Sequence, residues 1–130
     1  MLWSDPTSSE SETGIHMNST RREGVYKFGV DRLRTFLNEN RLNMIIRSHE
    51  CVMDGYDRYG SGGELITVFS CSNYCGRHQN AASILLVKKT LEIVPKMIYP
   101  LNTEVVSWIE SAEMLKMRPP TPPRWKPPAK

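Results

Sequence analysis

The sequence predicts a mixed α/β (α+β) domain, with strands stacked as a partial sandwich, helices at its flanks and an extended tail behind it. Three observations carry this. Two apolar segments, 42–46 and 64–70, have the length and β-branched content of buried strands. Apolar residues at helical spacing follow Asp31 and recur over 103–117. Six of the nine prolines fall in 118–130, where neither a helix nor a sheet ladder can form.

The chain has 130 residues, 39% hydrophobic and 24% charged, the size and make-up of one ordinary domain and too short for a second catalytic one. Residues 4–20 are mostly Ser, Thr, Glu, Asn and Gly. With the proline-rich tail they leave roughly a hundred residues to pack, so the core is expected to be incomplete. A net charge of +3, much of it from Arg118, Arg124, Lys126 and Lys130, argues against nucleic acid as a partner. Cys51, Cys71 and Cys75 are odd in number and fit no metal knuckle, so two are expected as small buried hydrophobes and one in a loop. No apolar run approaches the ~20 residues of a membrane span, and no apolar leader is evident, so a reduced, cytoplasmic protein is expected.

In order along the chain, residues 26–30 read as a short strand or turn. Asp31 reads as the cap of a helix carrying Leu33, Phe36 and Leu37 at i, i+3 and i+4 and ending near 38–40. Residues 42–46 follow as a buried strand that delivers Arg47-Ser48-His49-Glu50 at its carboxyl end. Residues 55–63 are dense in turn formers and separate that tip from the strand 64–70, whose two faces both look covered. A second loop, 71–80, leads to a hairpin of 82–88 and 91–99, linked by Lys89-Thr90. The stripe Val105, Val106, Ile109, Ala112 and Leu115 makes 103–117 an amphipathic helix that needs a cover. The boundaries are therefore 1–102, 103–117 and a polyproline tail at 118–130.

Chemistry has few places to reside. His49, at a strand end, is of the type that ligates a metal through a neutral ring nitrogen while a carboxylate or carbonyl fixes the other; a hydrogen-bonded strand-end histidine is the plainer reading. Arg21-Arg22, ahead of a glycine and a strand, suits a guanidinium fork aimed at a phosphate or carboxylate; a solvated basic pair is the plainer reading. Tyr74 and Cys75 sit in a loop that either lines a pocket or packs an aromatic turn. There is no phosphate-binding Gly-rich loop, no Ser/His/Asp order and no zinc pattern.

Five segments occur together and in order: Leu2-Trp3-Ser4-Asp5-Pro6; Arg22 ahead of Phe28-Gly29; Ile45-Ile46-Arg47-Ser48-His49-Glu50; Gly55-Tyr56; and Ile66-Thr67-Val68-Phe69-Ser70 leading to Ser72-Asn73-Tyr74-Cys75. Over residues 2–101 the chain resembles the carboxyl-terminal part of the catalytic domain of the metal-dependent Ser/Thr phosphoprotein phosphatases, the family of protein phosphatases 1, 2A and 5 and calcineurin. The resemblance implies a partial calcineurin-like metallophosphatase β-sandwich with flanking helices and two divalent metals, manganese, iron or zinc, in loops at the strand ends. It places His49 on the last protein ligand of the second metal, Arg22 on a phosphate-binding arginine and Tyr74 beside the catalytic cleft.

The family's Gly-Asp-x-His-Gly, Gly-Asp-x-Val-Asp-Arg-Gly, Gly-Asn-His-Glu and His-Gly-Gly segments are absent from this sequence. One ligand of about six remains, so no stable metal pair is expected on the chain alone. Glu23 beside Arg22 is expected to compete with phosphate. The expectation is therefore a truncated phosphatase-like protein, catalytically incomplete alone, acting as an interaction component of a larger assembly, cytoskeletal or ciliary in setting. Protein partners would cover the 103–117 helix and the cut face of the sandwich, and the 118–130 tail would dock in a groove or on a lattice. The alternative is the carboxyl-terminal segment of an active phosphoserine/phosphothreonine phosphatase completed by an amino-terminal half.

Overall fold

The computed structural model describes residues 3–100, all within the unit Met1–Pro100, so the expectations for 103–117 and 118–130 lie outside the described residues. Their architecture is α+β, three small sheets and one helix. β1 (Asp5–Pro6), β2 (Ile15–Met17) and β3 (Tyr26–Phe28) form the first sheet, with β3 central, parallel to β1 and antiparallel to β2. The helix α1 (Val30–Asn40) follows. β4 (Ile45–Arg47), β5 (Tyr56–Tyr59) and β6 (Leu65–Val68) form the second sheet, with β6 central, parallel to β4 and antiparallel to β5. β7 (Ala82–Val87) and β8 (Ile93–Ile98) pair as an antiparallel hairpin.

The helical spacing of Leu33 and Leu37 puts both on the buried face of α1, where they pack with Tyr59 and Leu65. Phe28, Val30 and Ile45 close the cluster from its edges. Each fully buried side chain here contributes roughly 1.5–3 kcal/mol relative to exposure. Asp31 does not cap the helix. Gly29 holds the cap position in extended backbone, while Asp31, two residues past it, accepts a 2.8 Å bond from the Gly14 amide and so ties the helix to the chain before β2. Arg41 ends the helix in the left-handed region, with the Leu42 amide bonding back to the Leu37 carbonyl at 2.9 Å.

Four other expectations change. Residues 4–20 are not lost to a tail: Asp5, Thr7 and Asn18 are buried, and β1 and β2 lie within this stretch. Polar residues pack here by hydrogen bonding rather than by apolar burial, as where the Thr7 and Tyr59 hydroxyls meet at 2.6 Å. Residues 42–46 are not a buried strand; β4 starts at Ile45, and Ile46 is 46% exposed. The turn formers of 55–63 conceal β5, which pairs with β6 from Tyr56↔Val68 to Tyr59↔Leu65. The link between β7 and β8 spans 88–92, closed by the Lys88 amide on the Glu92 carbonyl at 2.9 Å.

The expected coverage of β6 holds, since Leu65, Ile66 and Thr67 are all buried. One glycine is required at its border. Gly55 has φ +74, and a Cβ there would collide with the Ala82 backbone. That close approach lets the Gly55 carbonyl accept from the Phe69 amide (2.8 Å), whose own carbonyl accepts from Ser83 (2.9 Å). The hairpin beyond is less covered. Ile84, Leu86, Val87 and Ile98 are all about half exposed.

Candidate functional site

The carboxyl end of β4 and the start of β1 meet at one buried carboxylate. Asp5 is 2% exposed. Its Oδ2 accepts from Asn18 Nδ2 at 2.8 Å and from Arg21 Nε at 3.0 Å, and its Oδ1 accepts from Arg47 Nη2 at 2.8 Å. Arg47 also donates to Glu50 through Nη1. Burial by itself would push the Asp5 carboxyl up. The bonds from Arg21 and Arg47, the Arg21 charge and the Asn18 amide outweigh it and hold the group below the usual carboxylate value.

His49 follows two residues after Arg47 and has φ +90, a left-handed value rare for a residue with a side chain. Its Nδ1 is buried, lies 3.5 Å from Asp5 Oδ1 and has no hydrogen-bond partner among the described residues. Trp3 meets the imidazole edge-on, with centroids 5.0 Å apart, and the Arg22 guanidinium lies over the same indole at 5.5 Å from its centroid. Trp3, Arg21, Arg22, Val25 and His49 line one cavity of about 290 Å³. Asp5 offsets the charge of Arg21. Arg22 has no ion pair among the described residues, Glu23 included. Two guanidiniums, an imidazole and an indole therefore face one space, a wall suited to an oxyanion such as phosphate.

Of the three residues singled out in the sequence, His49 and Arg22 come together in this cavity and Tyr74 is not part of its lining. Sequence reasoning misses Trp3, Asp5 and Asn18 as site-building groups, although Trp3 and Asp5 stand in the Leu-Trp-Ser-Asp-Pro segment and Arg21 belongs to a pair suited to a carboxylate. Nothing local pairs Asp5 with Arg47, forty-two residues away.

Tyr74 opens a 3₁₀ turn, Tyr74–Gly76, and its ring sits edge-on to Phe69 at 5.1 Å and tilted over His78 at 5.9 Å. The loop is shaped from inside by Asn80, which is fully buried. Its Oδ1 accepts from the Tyr74 amide at 2.8 Å, and its Nδ2 donates to the Cys71 carbonyl at 2.7 Å and the Ala81 carbonyl at 2.9 Å. Asn80→Ala strands those backbone groups, and chemical denaturation should show a loss of about 2–3 kcal/mol, with the loop's amides exchanging faster. The cysteines differ from expectation, because none is fully buried. Cys71 and Cys75 are exposed in this loop and Cys51 is half-buried. Burial, then the charges of Cys71 and Cys75, raises the Cys51 thiol above its ordinary value, so it is a poor nucleophile.

A metal pair does not fit these residues alone. Among the described residues no three His, Cys, Asp or Glu side chains are grouped to hold an ion. Asp5 is committed to three donors, which leaves the orphaned His49 Nδ1 as one nitrogen awaiting a partner.

The chain is 44% identical over 137 aligned residues to the serine/threonine-protein phosphatase BSL2 of Arabidopsis thaliana, covering 98% of this chain and 13% of that protein. Its fold matches, at a TM-score of 0.64 and 27% identity, a protein serine/threonine phosphatase from Saccharomyces cerevisiae described as similar to human phosphatase PP5, over 78% of this chain and 33% of that one. This chain carries the carboxyl-terminal part of a Ser/Thr phosphoprotein phosphatase domain. No family model matches it. The phosphatase segment spans only about an eighth of the length of the Arabidopsis relative and a third of the yeast structure.

Proposed function

We propose that this segment supplies one wall of the active site of a dinuclear-metal Ser/Thr protein phosphatase and does not hydrolyse phosphate esters by itself. The observation that carries the reading is His49. A buried, unpartnered nitrogen costs about 1–3 kcal/mol, and a non-glycine residue in such backbone costs a similar amount. A purely structural module gains nothing from either. Both are costs that a site keeps when the nitrogen has a ligand to meet.

The residues have distinct parts. Arg22, which pairs with no carboxylate among the described residues, and the terminal nitrogens of Arg21 hold the oxygens of a phosphoserine or phosphothreonine. Asp5 fixes Arg21 through its Nε and keeps Arg47 neutralised beneath the site. Trp3 touches both groups, carrying the Arg22 guanidinium over its ring and meeting the imidazole edge-on. The half-exposed apolar hairpin of Ile84, Leu86, Val87 and Ile98 supports a protein partner on that side, the complementary half of the phosphatase domain. This favours the completed-enzyme reading over an interaction role alone.

The test is reconstitution. With manganese and a phosphoserine peptide the isolated chain should release no phosphate, whereas the same chain produced together with the amino-terminal half of a phosphoprotein phosphatase domain should turn over. Hydrolysis by the chain alone, or an inert but properly assembled pair, defeats the proposal.

A further inference from the structure

The loop between β1 and β2 reads Ser8-Ser9-Glu10-Ser11-Glu12-Thr13 and is exposed throughout, although it hangs from the buried Thr7. Within it a tight turn joins Ser9 to Glu12, the Glu12 amide bonding to the Ser9 carbonyl at 3.1 Å. The Thr7 hydroxyl lies 3.0 Å from the Ser9 carbonyl and 3.3 Å from that of Glu12, so the base of the turn is pinned to the sheet. Ser9 is exposed, and its hydroxyl meets the Ser11 hydroxyl at 2.8 Å and accepts from the Ser11 amide at 3.3 Å. Glu12 is 44% exposed. Glu10 reaches to the Gly60 amide at 3.1 Å.

From this geometry we infer that Ser9 is a phosphorylation site for a protein kinase that reads acidic residues just carboxyl-terminal to its target. Ser9 has a carboxylate at the first and third following positions. Ser8 has them at the second and fourth, and Ser11 at the first alone. A basic kinase groove discriminates among three adjacent hydroxyls by those charges. In the transfer the Ser9 oxygen attacks the γ-phosphorus of MgATP, the bond to the β-phosphate oxygen breaks, ADP leaves and the hydroxyl proton passes to the kinase base. The product adds about 1.5–2 negative charges beside Glu10 and Glu12. Like-charge repulsion then pulls Glu10 off the Gly60 amide, loosening the strut between the β1–β2 loop and the β5–β6 turn.

The experiment incubates the full chain with casein kinase 2 and MgATP and maps the label by mass spectrometry. One phosphoryl group is expected, on Ser9. It should be absent in Ser9→Ala, slowed about tenfold in Glu12→Gln and unchanged in Glu39→Gln, an acid on the exposed side of α1. Phosphorylation should also speed hydrogen exchange at the Gly60 amide. Label confined to other residues, label appearing only on denatured chain, or a Glu12→Gln rate equal to the parent's overturns the inference. None of these outcomes bears on the reconstitution test.

Discussion

Asp5→Ala is expected to cost about 3–5 kcal/mol of folding free energy, read as a fall in the denaturant midpoint of the assembled protein. The magnitude follows from what stays behind. Two guanidiniums, of Arg21 and Arg47, lose their shared acceptor, and the Arg47 side chain is 14% exposed. Asn18 loses its partner as well. Removing one member of a buried ion pair leaves an uncompensated charge, and the carboxylate deleted carries almost no apolar surface to set against it. Asp5→Asn keeps the shape and isolates the charge. The Asp5 carboxyl is held below its ordinary value in the folded state, so its contribution is full above about pH 5 and is lost as pH falls through the folded value. The acid limb of the stability profile should therefore be shallower in Asp5→Asn than in the parent. Parallel acid limbs would mean that Asp5 does not link Arg21 to Arg47.

The legible parts of this fold were those whose signal is local and apolar. Leu33 and Leu37 mark α1 by spacing, and Leu65 to Val68 mark the central strand by β-branched content. The hairpin of β7 and β8 showed itself as two apolar runs. β5 did not, because Tyr56-Asp57-Arg58-Tyr59 lies between glycines and owes its extended form to pairing with β6. β1 and β2 were hidden for a different reason. Their stretch is polar, and the burial of Asp5 and Thr7 draws on partners far along the chain, Arg47 and Tyr59. The same division holds in the cavity. His49 and Arg22 could be named from a strand tip and a basic pair, but the carboxylate that organises that wall needed a long-range contact.

His49→Gly separates stability from activity. In the reconstituted phosphatase it should reduce turnover by at least about a hundredfold, since outer-sphere partners of a metal site alone cost 10–100-fold. The isolated chain should keep its stability or gain slightly. Glycine accepts φ +90 without strain, and deleting the imidazole removes the buried, unpartnered Nδ1. Against that stand the lost edge-on contact with Trp3, worth about 0.5–1.5 kcal/mol, and about 1 kcal/mol of added unfolded-state freedom. The two favourable terms equal or exceed the two opposing ones, so a loss of stability is not expected. A histidine kept only for packing predicts the reverse pattern, with the denaturant midpoint falling and the turnover of correctly folded protein unchanged. Measuring both quantities on one preparation decides between a ligand and a wedge. If turnover survives while the fold weakens, His49 is a packing residue and the phosphatase site lies elsewhere in the assembly.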